Sequence, residues 1–477
     1  MTASLAAMAA GLHAQDIADG ETPVDEDAPI GVRMNDEGAV TAYPQTYGPP
    51  ATEAELVREP APVAIPDPLD FAAAQAAATH PLVEAAEAEA TALGSELRGA
   101  RWLRYPSLSV EALAATEGSS FADEDGLALN AVVEQPIWSG GRIGGEIRRA
   151  RSNLRSGQDR VDEAQRDIVL RVVQAYYNYV LATERYTVLE DSLVEHNQLL
   201  EAIGRRVDQQ VSPRADLTLG QSRTAQVELD LASTEESRDS ALVRLLELTG
   251  GIAVEPTLPP PGMAEILPPE EIALAEALAC SPSLAALTDL IDVAEANKDI
   301  ARAQLWPQVL LQLSQNEITG TRAAIVLRAQ TGNGLSQLAA IDTSDARIQR
   351  ALAEFGEAER TLREQLRRDY VLVRASLARI EAGVLAADAA AEIIDSYQRQ
   401  FIAGRRSWLD VMNATREAAN ARLSETDARV TAAGGTARIL ALTCRWQPAG
   451  AVNGAVMDTV MGTGSGAVSG ATEGIDE

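Results

Sequence analysis

The chain has 477 residues and a formal net charge of −30, from 70 acidic against 40 basic side chains. This balance argues against a nucleic-acid partner, because phosphate binding requires clustered Lys and Arg. The three histidines lie far apart and fit no metal-ligand spacing, so neither a metal site nor a cofactor is predicted. No strongly apolar run is long enough for a transmembrane helix, which leaves a soluble protein or a membrane β-barrel.

The two cysteines, Cys280 and Cys444, occupy corresponding places in two halves of the chain. A disulfide between them is one interpretation. Two separate buried small residues is the commoner situation, and it is the one that the sequence favours.

Both ends of the chain lack a sustained period. Residues 1–14 are rich in Ala and Leu and end in a small-residue pattern, which predicts a signal peptide; the missing basic region predicts a start further upstream. A plain disordered tail is the alternative. Residues 15–70 are acidic and rich in Pro and Ala, and residues 448–477 consist largely of Gly, Ala and Ser. Neither stretch buries enough apolar surface to offset the cost of ordering, so both are predicted to be unstructured.

A first structured repeat is predicted over residues 71–251. Its elements are a helix at 71–101 interrupted at His80-Pro81, a β-hairpin at about 107–137, a long helix at about 142–209 and a helix at about 212–249. Alternation places Leu108, Val110 and Leu129 on one face of the hairpin and Glu111 and Glu134 on the other. The hairpin therefore has one apolar face.

The long helix is predicted from a seven-residue apolar period, which is typical of helices that supercoil on neighbours. The first seam consists of Ile147, Leu154, Val161, Ile168, Ala175, Ala182, Leu189, His196 and Ile203, and only the histidine is polar. A second seam consists of Ala150, Gly157 and Ala164 and, after a slip, Tyr179, Tyr186, Leu193, Leu200 and Val207. Two seams predict neighbours on both sides of a rod roughly 100 Å long.

The chain then repeats this pattern after a Pro-rich linker at residues 252–270. His80-Pro81, Tyr105-Pro106, Tyr176, Asp216 and Thr249-Gly250 recur as Ser281-Pro282, Trp306-Pro307, Tyr370, Asp410 and Thr443-Cys444. The second repeat, residues 271–447, is predicted to contain a helix, a hairpin at about 308–330, a long helix at about 342–403 and a helix at about 406–443.

Four strands per chain cannot close a membrane barrel, so closure requires several copies. Three copies would supply about 12 strands, within the range of outer-membrane barrels. The predicted fold is mainly α with a β-barrel part: a duplicated helix, hairpin and long coiled-coil helix. Three copies would assemble as a trimeric twelve-stranded outer-membrane β-barrel that is continued by a hollow α-helical barrel.

Two motifs within this frame resemble the TolC-type outer-membrane efflux proteins. Glu134-Gln135-Pro136-Ile137-Trp138-Ser139-Gly140-Gly141-Arg142 is similar to the family's strand-to-helix corner, in which Pro136, Trp138, Gly140 and Gly141 are the characteristic positions. Gly404-Arg405-Arg406-Ser407-Trp408-Leu409-Asp410-Val411-Met412-Asn413-Ala414 is similar to its periplasmic helix tip. The resemblance implies a homotrimer in the bacterial outer membrane that contacts lipid and extends into the periplasm. It also implies a periplasmic adaptor and an inner-membrane ABC or proton-driven transporter as partners.

The same resemblance implies a charged gate at the periplasmic tips. Asp410 matches an aspartate that rings the constriction, and Asn413 stands where some members have a second aspartate. Arg406 matches an arginine that ties the second tip to the first, with Asp216 as its expected partner; Phe401 replaces a tyrosine, and Arg405 lies beside the gate. The alternative is that these charged residues merely cap helices and face solvent.

The second hairpin lacks a Pro-aromatic-Gly-Gly corner and ends in the Gly-rich residues 329–335, which resembles members that serve type I protein secretion. The sequence thus predicts a passive exit duct, with protein secretion ahead of small-molecule or drug efflux. A coiled-coil envelope scaffold is the alternative from another class. An enzyme is not predicted, because no catalytic cluster or phosphate-binding loop occurs.

Overall fold

The computed structural model describes residues 33–34, 40–41, 61–115, 126–258, 262–316, 320–329 and 336–448. The chain divides into two units, Met1–Pro50 and Ala51–Glu477. In the first unit, strands β1 (Arg33–Met34) and β2 (Val40–Thr41) pair antiparallel, which the sequence did not predict. The predicted signal peptide and almost all of the predicted C-terminal tail lie outside the described residues.

The second unit begins with the first repeat. Its elements are α1 (Asp67–Thr79), α2 (Pro81–Trp102), β3 (Ser107–Ala115), β4 (Gly126–Trp138), α3 (Arg142–Asp208) and α4 (Arg214–Thr249). Helix α1 begins ahead of the predicted residue 71, because a proline near its start and the acidic Asp67 and Asp70 in its first turn favour a helix N-terminus there. His80 separates α1 from α2 and accepts a hydrogen bond from the Leu82 N–H through its side chain.

The linker and the second repeat follow. Their elements are a 3-10 turn (Met263–Ile266), α5 (Glu270–Ala279), α6 (Pro282–Ala303), β5 (Gln308–Asn316), β6 (Gly320–Arg328), α7 (Ser336–Ile402) and α8 (Trp408–Leu442). Helix α7 starts at Ser336, before the predicted residue 342. The intervening Gln, Leu and Ala residues are good helix formers, and they extend the helix at its N-terminal end.

Strands β3 to β6 form one antiparallel sheet in the order β3-β4-β5-β6, so β3 and β6 are its free edges. The register pairs Leu108 with Val133 and Leu311 with Ile325. Residues that face each other across strands share one side of the sheet, and the predicted apolar face is therefore continuous through all four strands.

Helix α3 packs against α2 and α6 towards the sheet and against α4 and α8 towards the other end. Both predicted seams are used: Ile168, Ala175 and Ile203 are buried on the first, and Ala150 and Gly157 on the second. Neighbours therefore lie on both sides of α3, as two seams require. Among the described elements, helix α7 packs mainly against α8, less against α6 and least against α5, so fewer neighbours surround it than surround α3.

The two repeats are joined along their length by contacts of α3 with the second repeat. Near the sheet, Arg148 pairs with Asp299 at 2.6 Å and Arg155 pairs with Asp289 at 2.7 Å, both on α6. Further along, Arg185 of α3 pairs with Asp427 of α8. These half-exposed pairs stabilise little individually, but they fix the register between the repeats.

The largest core cluster combines the start and the end of the described chain. It includes Leu69 of α1, Tyr176 of α3, Leu440 of α8 and Trp446 beyond α8. The indole Nε1–H of Trp446 donates a hydrogen bond of 2.8 Å to Asp70, and both side chains are buried. The last described residues therefore close over the first helix.

Cys280 and Cys444 form a disulfide, with their Cα atoms 6.4 Å apart. The favoured interpretation of two separate small residues was wrong. Cys280 lies at the break between α5 and α6, and the chain turns back after α8 at Cys444, whose φ is 56°. Because this turn meets that break, two residues far apart in sequence come within bonding distance.

Among the described helices, none alone has the length and apolar character to cross a bilayer; α5 and α6, bent by 44° at their break, meet that criterion only as a pair. The described residues contain no group of three or more His, Cys, Asp or Glu side chains that could hold a metal ion.

Candidate functional site

The predicted gate lies where the two long helices turn back. Helix α3 ends at Asp208, and its turn contains Gln210 with a φ of 60° before Pro213 precedes α4. Helix α7 ends at Ile402, and Gly404 with a φ of 70° reverses the chain. Ser407 then caps α8, because its hydroxyl accepts the Leu409 N–H at 3.0 Å.

The two tips are held together by an apolar cluster. Its buried members are Ile203 of α3, Phe401 of α7, and Trp408, Val411 and Met412 of α8. Because residues from both repeats contribute, the two turns form one packed unit within the chain. Phe401, which was predicted from the resemblance, is buried here and does not reach solvent.

Arg406 does not pair with Asp216 in the described chain, contrary to the expectation from the resemblance. Its Nη1 lies 3.6 Å from Asp410 Oδ2, and its guanidinium sits 3.9 Å from the centroid of the Tyr397 ring. The physical reason is proximity: Asp410 lies one turn further along the same tip, whereas Asp216 belongs to the first turn of α4. Arg406 therefore bridges α7 and α8 within the second tip.

Besides the apolar cluster, a cationic contact between the tips is made by Arg206, which sequence reasoning missed. Its guanidinium lies 5.1 Å from the centroid of the Phe401 ring, so a cation on α3 contacts an aromatic ring on α7. The Nε atom of Arg206 is buried and has no hydrogen-bond partner among the described residues. The sequence did contain a signal for this contact. Arg206 lies in the last turn of α3, and Phe401 is the aromatic residue that ends the seam of α7.

The remaining predicted gate residues are more open. Asp410 and Asp216 are half-buried, and Arg405 and Asn413 are exposed. Asp410 is thus a carboxylate whose only ion pair in the described chain is the long one to Arg406. Such a group keeps much of its charge available to ions near the tip.

Above the tips, α3, α4 and α8 line a groove of about 370 Å³. His196, the polar member of the first seam, is buried at its base, and its Nδ1 lies 2.7 Å from the Ser192 carbonyl oxygen, to which it donates. Polar side chains including Arg223, Asp230 and Asn413 surround it. The groove therefore combines hydrogen-bonding groups with apolar side chains, among them Leu189, Val227 and Leu423.

At the opposite end, β4 passes into α3 through the corner predicted from the sequence. Pro136 and Trp138 flank an irregularity in the pairing of β4 with β5. Gly140 and Gly141 then adopt φ values of 61° and 94°, which disfavour other residues. A Cβ on Gly140 would lie 2.7 Å from the Cβ of Trp306, so the corner packs closely on the second repeat.

The aromatic rings complete this contact, because Trp138 meets Trp306 edge to face with centroids 6.4 Å apart. Trp306 occupies in the second repeat the place of Tyr105 in the first. The corner is therefore a junction between repeats as well as a turn, which the sequence motif alone did not reveal.

The sheet has two chemically different faces. On one, Leu108, Val110, Ile325 and Leu327 are each more than 60% exposed, so the described residues leave this face uncovered. On the other, Glu134 Oε1 receives hydrogen bonds from Arg328 at 3.1 Å and Gln312 at 3.4 Å. The arrangement suits a wall with lipid on one side and water on the other.

Comparison with known proteins gives the family. The sequence profile described as "Outer membrane efflux protein" matches residues 72–251 and 273–443, which together span both repeats. The chain belongs to the outer membrane efflux protein family. As a member, the protein is located in the bacterial outer membrane and extends into the periplasm, and the predicted fold class is confirmed. The family is one of channel proteins rather than enzymes.

Individual relatives are distant. The alkaline protease secretion protein AprF of Pseudomonas aeruginosa is 23% identical over 273 residues, which cover 54% of this chain and 57% of AprF; the match thus spans little more than half of that relative. The outer membrane protein VceC of Vibrio cholerae has a similar structure, with a TM-score of 0.68, 18% identity, and coverage of 79% of this chain and 96% of VceC. The outer-membrane channel OprN gives a TM-score of 0.72 at 14% identity, with coverage of 89% and 98%. At these identities, the two structures show the fold alone.

Proposed function

We propose that this outer membrane efflux protein is the passive exit duct of a tripartite export system and that it works as a homotrimer. The observation that carries the proposal is the two-faced sheet, apolar and uncovered on one side and polar around Glu134 on the other, which continues directly into two very long helices. A coiled-coil scaffold has no use for such a sheet.

The free edges of the sheet support assembly from several copies. Among the described strands, β3 and β6 each lack a partner on one side, and each has nine residues. Pairing β6 of one copy with β3 of the next leaves no open edge, which is what a bilayer demands of β-structure. Three copies of this four-stranded sheet supply the twelve strands of the proposed barrel.

The helices carry a matching set of uncovered apolar residues. On α7, Val371 is 55% and Leu385 is 73% exposed; on α4, Val243 is 59% and Leu229 is 65% exposed. Between the two large residues on each helix lie exposed small ones, which are Ala375, Ala378 and Ala382 on α7 and Ala232 on α4. On α7 these residues follow the spacing of a coiled-coil seam, whereas on α4 the acidic Glu236 and Asp239 stand at that spacing between Leu229 and Val243.

These exposed residues lie at the same level along the helices. Gly220 of α4 packs on Leu200 of α3. The two helices are antiparallel, so the same number of residues forward from Gly220 and backward from Leu200 brings Val243 level with Tyr177. Tyr177 packs on Gly434 of α8, whose neighbour packs on Val373 of α7. Copies related by rotation would therefore bring α7 of one beside α4 of the next, with Val371 facing Val243 and Leu385 facing Leu229 in one antiparallel register.

Within this proposal, the tips form the periplasmic gate. Asp410 of three copies would surround one axis and attract cations, and Arg406 would hold each second tip closed through Asp410 and Tyr397. The groove above the tips, which has both polar and apolar side chains, would receive a periplasmic adaptor. Energy would come from an inner-membrane ABC or proton-driven transporter, because the chain is proposed to act as a passive duct.

We infer that the cargo is protein, exported by a type I system. AprF, whose name describes protease secretion, supports this choice, as does the Gly-rich end of the second hairpin in the sequence. Small-molecule efflux is the second candidate, and the efflux description of the family favours it. Complementation separates them: a strain lacking its own duct regains either secretion of a protein substrate or resistance to small toxic compounds.

Single-channel conductance in planar bilayers tests the duct itself. The wild-type trimer is expected to conduct weakly with a preference for cations. Asp410→Ala should reduce blocking by multivalent cations, and Arg406→Ser should raise conductance by loosening the tip. Arg405→Ser, which removes an exposed neighbouring charge, is the matched control and should leave conductance near wild type. If the well-folded protein forms no channel, the proposal is wrong and the coiled-coil scaffold becomes the better interpretation.

A further inference from the structure

The disulfide between Cys280 and Cys444 lies beside a cleft of about 200 Å³. The cleft is lined by α3, by the break between α5 and α6, and by the residues after α8. Both cysteines belong to its lining, and both are only half-buried. A thiol from another molecule can therefore approach this bond, unlike a disulfide that is buried in a core.

Arg166 of α3 approaches the two sulfur atoms unequally. Its Nη2 lies 3.1 Å from Sγ of Cys444 and 3.8 Å from Sγ of Cys280, and it also donates a hydrogen bond of 2.7 Å to the Cys280 carbonyl oxygen. That carbonyl bond fixes the guanidinium in place. A cation beside a sulfur stabilises its thiolate, and the thiol with the lower pKa is the better leaving group.

The other charged groups around the cleft are mostly acidic. Burial lowers the pKa of Arg166 to about 10, against the opposing effect of Glu163 and Asp162, so the guanidinium remains charged at neutral pH. Asp159 also lines the cleft. Beyond the disulfide, Arg445 is paired with Glu276 at 2.7 Å and its charge is thereby offset. An acidic lining disfavours negatively charged thiols.

We propose that Cys280 and Cys444 form a thiol–disulfide exchange site whose substrate is a neutral or cationic dithiol. The attacking thiolate forms a bond to Sγ of Cys280, and the electron pair of the Cys280–Cys444 bond leaves on Sγ of Cys444 beside Arg166. The second thiol of the dithiol, on losing its proton, attacks the mixed disulfide and releases Cys280. The dithiol is oxidised to its disulfide, and the two cysteines take up two electrons and two protons.

Exchange would alter the attachment of the end of α8. With the bond open, the turn after α8 is held to α5 by the pair between Arg445 and Glu276, and to α1 by the hydrogen bond between Trp446 and Asp70. Of these three links between the residues after α8 and the neighbouring helices, only the disulfide would be opened and closed by exchange. This role is independent of the proposed export function.

The position at which an added thiol attaches tests the proposal in the unchanged full-length protein. Cysteamine, a cationic monothiol, is added briefly, free thiols are trapped with iodoacetamide, and the peptides are analysed by mass spectrometry. Cysteamine should be found mainly on Cys280 and the alkyl group mainly on Cys444. Equal labelling of the two cysteines, or two cysteines that are already free before thiol is added, would overturn the proposal.

The rate of reduction by dithiothreitol tests the role of Arg166. Arg166→Gln should slow reduction about threefold, the effect of a one-unit rise in the pKa of the leaving thiol, and Arg166→Lys should recover most of the rate. Arg148→Gln, which removes another arginine of α3 that is paired with Asp299, is the control and should react like wild type. Unchanged reduction in Arg166→Gln would overturn the assignment; if that variant fails to fold, the cysteamine experiment decides.

The charge of the cleft has a separate readout. Cysteamine should react faster than the anionic thiol mercaptoethanesulfonate with the folded protein, and this preference should weaken when the same protein is unfolded in urea. If the preference for cysteamine is equal in the folded and unfolded protein, the acidic cleft does not select the thiol, and that part of the proposal is wrong.

Discussion

Tyr176 and Tyr370 occupy the same position in the two repeats, and their hydroxyl groups both bind the backbone of the linker that joins those repeats. The Tyr176 hydroxyl accepts the Thr257 N–H at 2.9 Å, and the Tyr370 hydroxyl donates to the Pro268 carbonyl oxygen at 2.6 Å. Six of the 19 residues of the linker are prolines, which have no N–H group to donate within the linker. The duplicated tyrosines therefore fix its path.

We expect Tyr176→Phe and Tyr370→Phe each to destabilise the protein by about 1 kcal/mol, because each leaves a backbone group of the linker without its partner. Tyr177→Phe is the matched control: its hydroxyl is buried and has no hydrogen-bond partner among the described residues, so its removal should be neutral or stabilising. Thermal unfolding of the three variants checks this. Equal destabilisation by Tyr177→Phe would show that ring packing matters rather than the hydroxyl bonds.

The bond from Trp446 to Asp70 predicts a second stability effect. Trp446→Phe keeps an aromatic ring in the core but removes the N–H that Asp70 accepts, at an expected cost of about 1–3 kcal/mol. Trp408→Phe, in the buried cluster at the tips, is the comparison, since no indole hydrogen bond is seen there in the described chain. Chemical denaturation should show the larger loss for Trp446→Phe; similar losses would make the hydrogen bond unimportant.

The two glycines of the corner should respond differently to a methyl group. Gly140→Ala combines an unfavourable φ with a contact of 2.7 Å to Trp306, whereas Gly141→Ala meets open space and has only the unfavourable φ. Gly141→Ala should cost about 1 kcal/mol, and Gly140→Ala should cost more and lower the yield of folded protein. Yield and melting temperature of both variants give the comparison. Indistinguishable variants would argue against close packing at the corner.

Asp159 predicts a pH-dependent effect. Burial, with Asp289 and Asp162 nearby, raises its pKa from 3.8 to about 6. The folded state therefore binds this proton more tightly than the unfolded state, and stability falls as pH rises from about 4 to 6. Asp159→Asn keeps a donor towards Asp289 without the charge, so it should raise the melting temperature at pH 7.5.

The same variant at pH 4 supplies the control for Asp159. There the wild-type carboxyl is largely protonated in the folded protein, and the advantage of Asn should be much smaller. Because Asp159 is partly solvated, the effect at pH 7.5 is expected to be modest. An advantage that is equal at both pH values would point to packing and not to the charge.

The sequence predicted the helices well because burial follows a period that can be counted. Ile168, Ala175 and Ile203 fall on the predicted seam and are buried, and Leu108 and Ile325 fall on the predicted outer face of the sheet and are exposed. Such periods depend only on local geometry, since each helix or strand presents the same face at regular intervals.

The site was predicted less well because its contacts join distant parts of the chain. Arg206 meets Phe401, and Trp138 meets Trp306, through the packing of one repeat on the other, which no spacing encodes. The pair of Arg406 with Asp410 replaced the expected pair with Asp216 because the residue within one helical turn is nearer. The gate roles of Asp410 and Arg406 remain predictions.

The closure of the core by Trp446 has a consequence for biogenesis. Trp446 follows Asp70 by 376 residues, and α8 supplies Val430 and Leu440 to the cluster in which Leu69 is buried. Contacts of such long sequence separation form late in folding. A chain that emerges N-terminus first therefore completes the packing of α1 only after nearly all of it has appeared. The apolar surface of α1 that α8 and Trp446 cover stays open to aggregation during that interval.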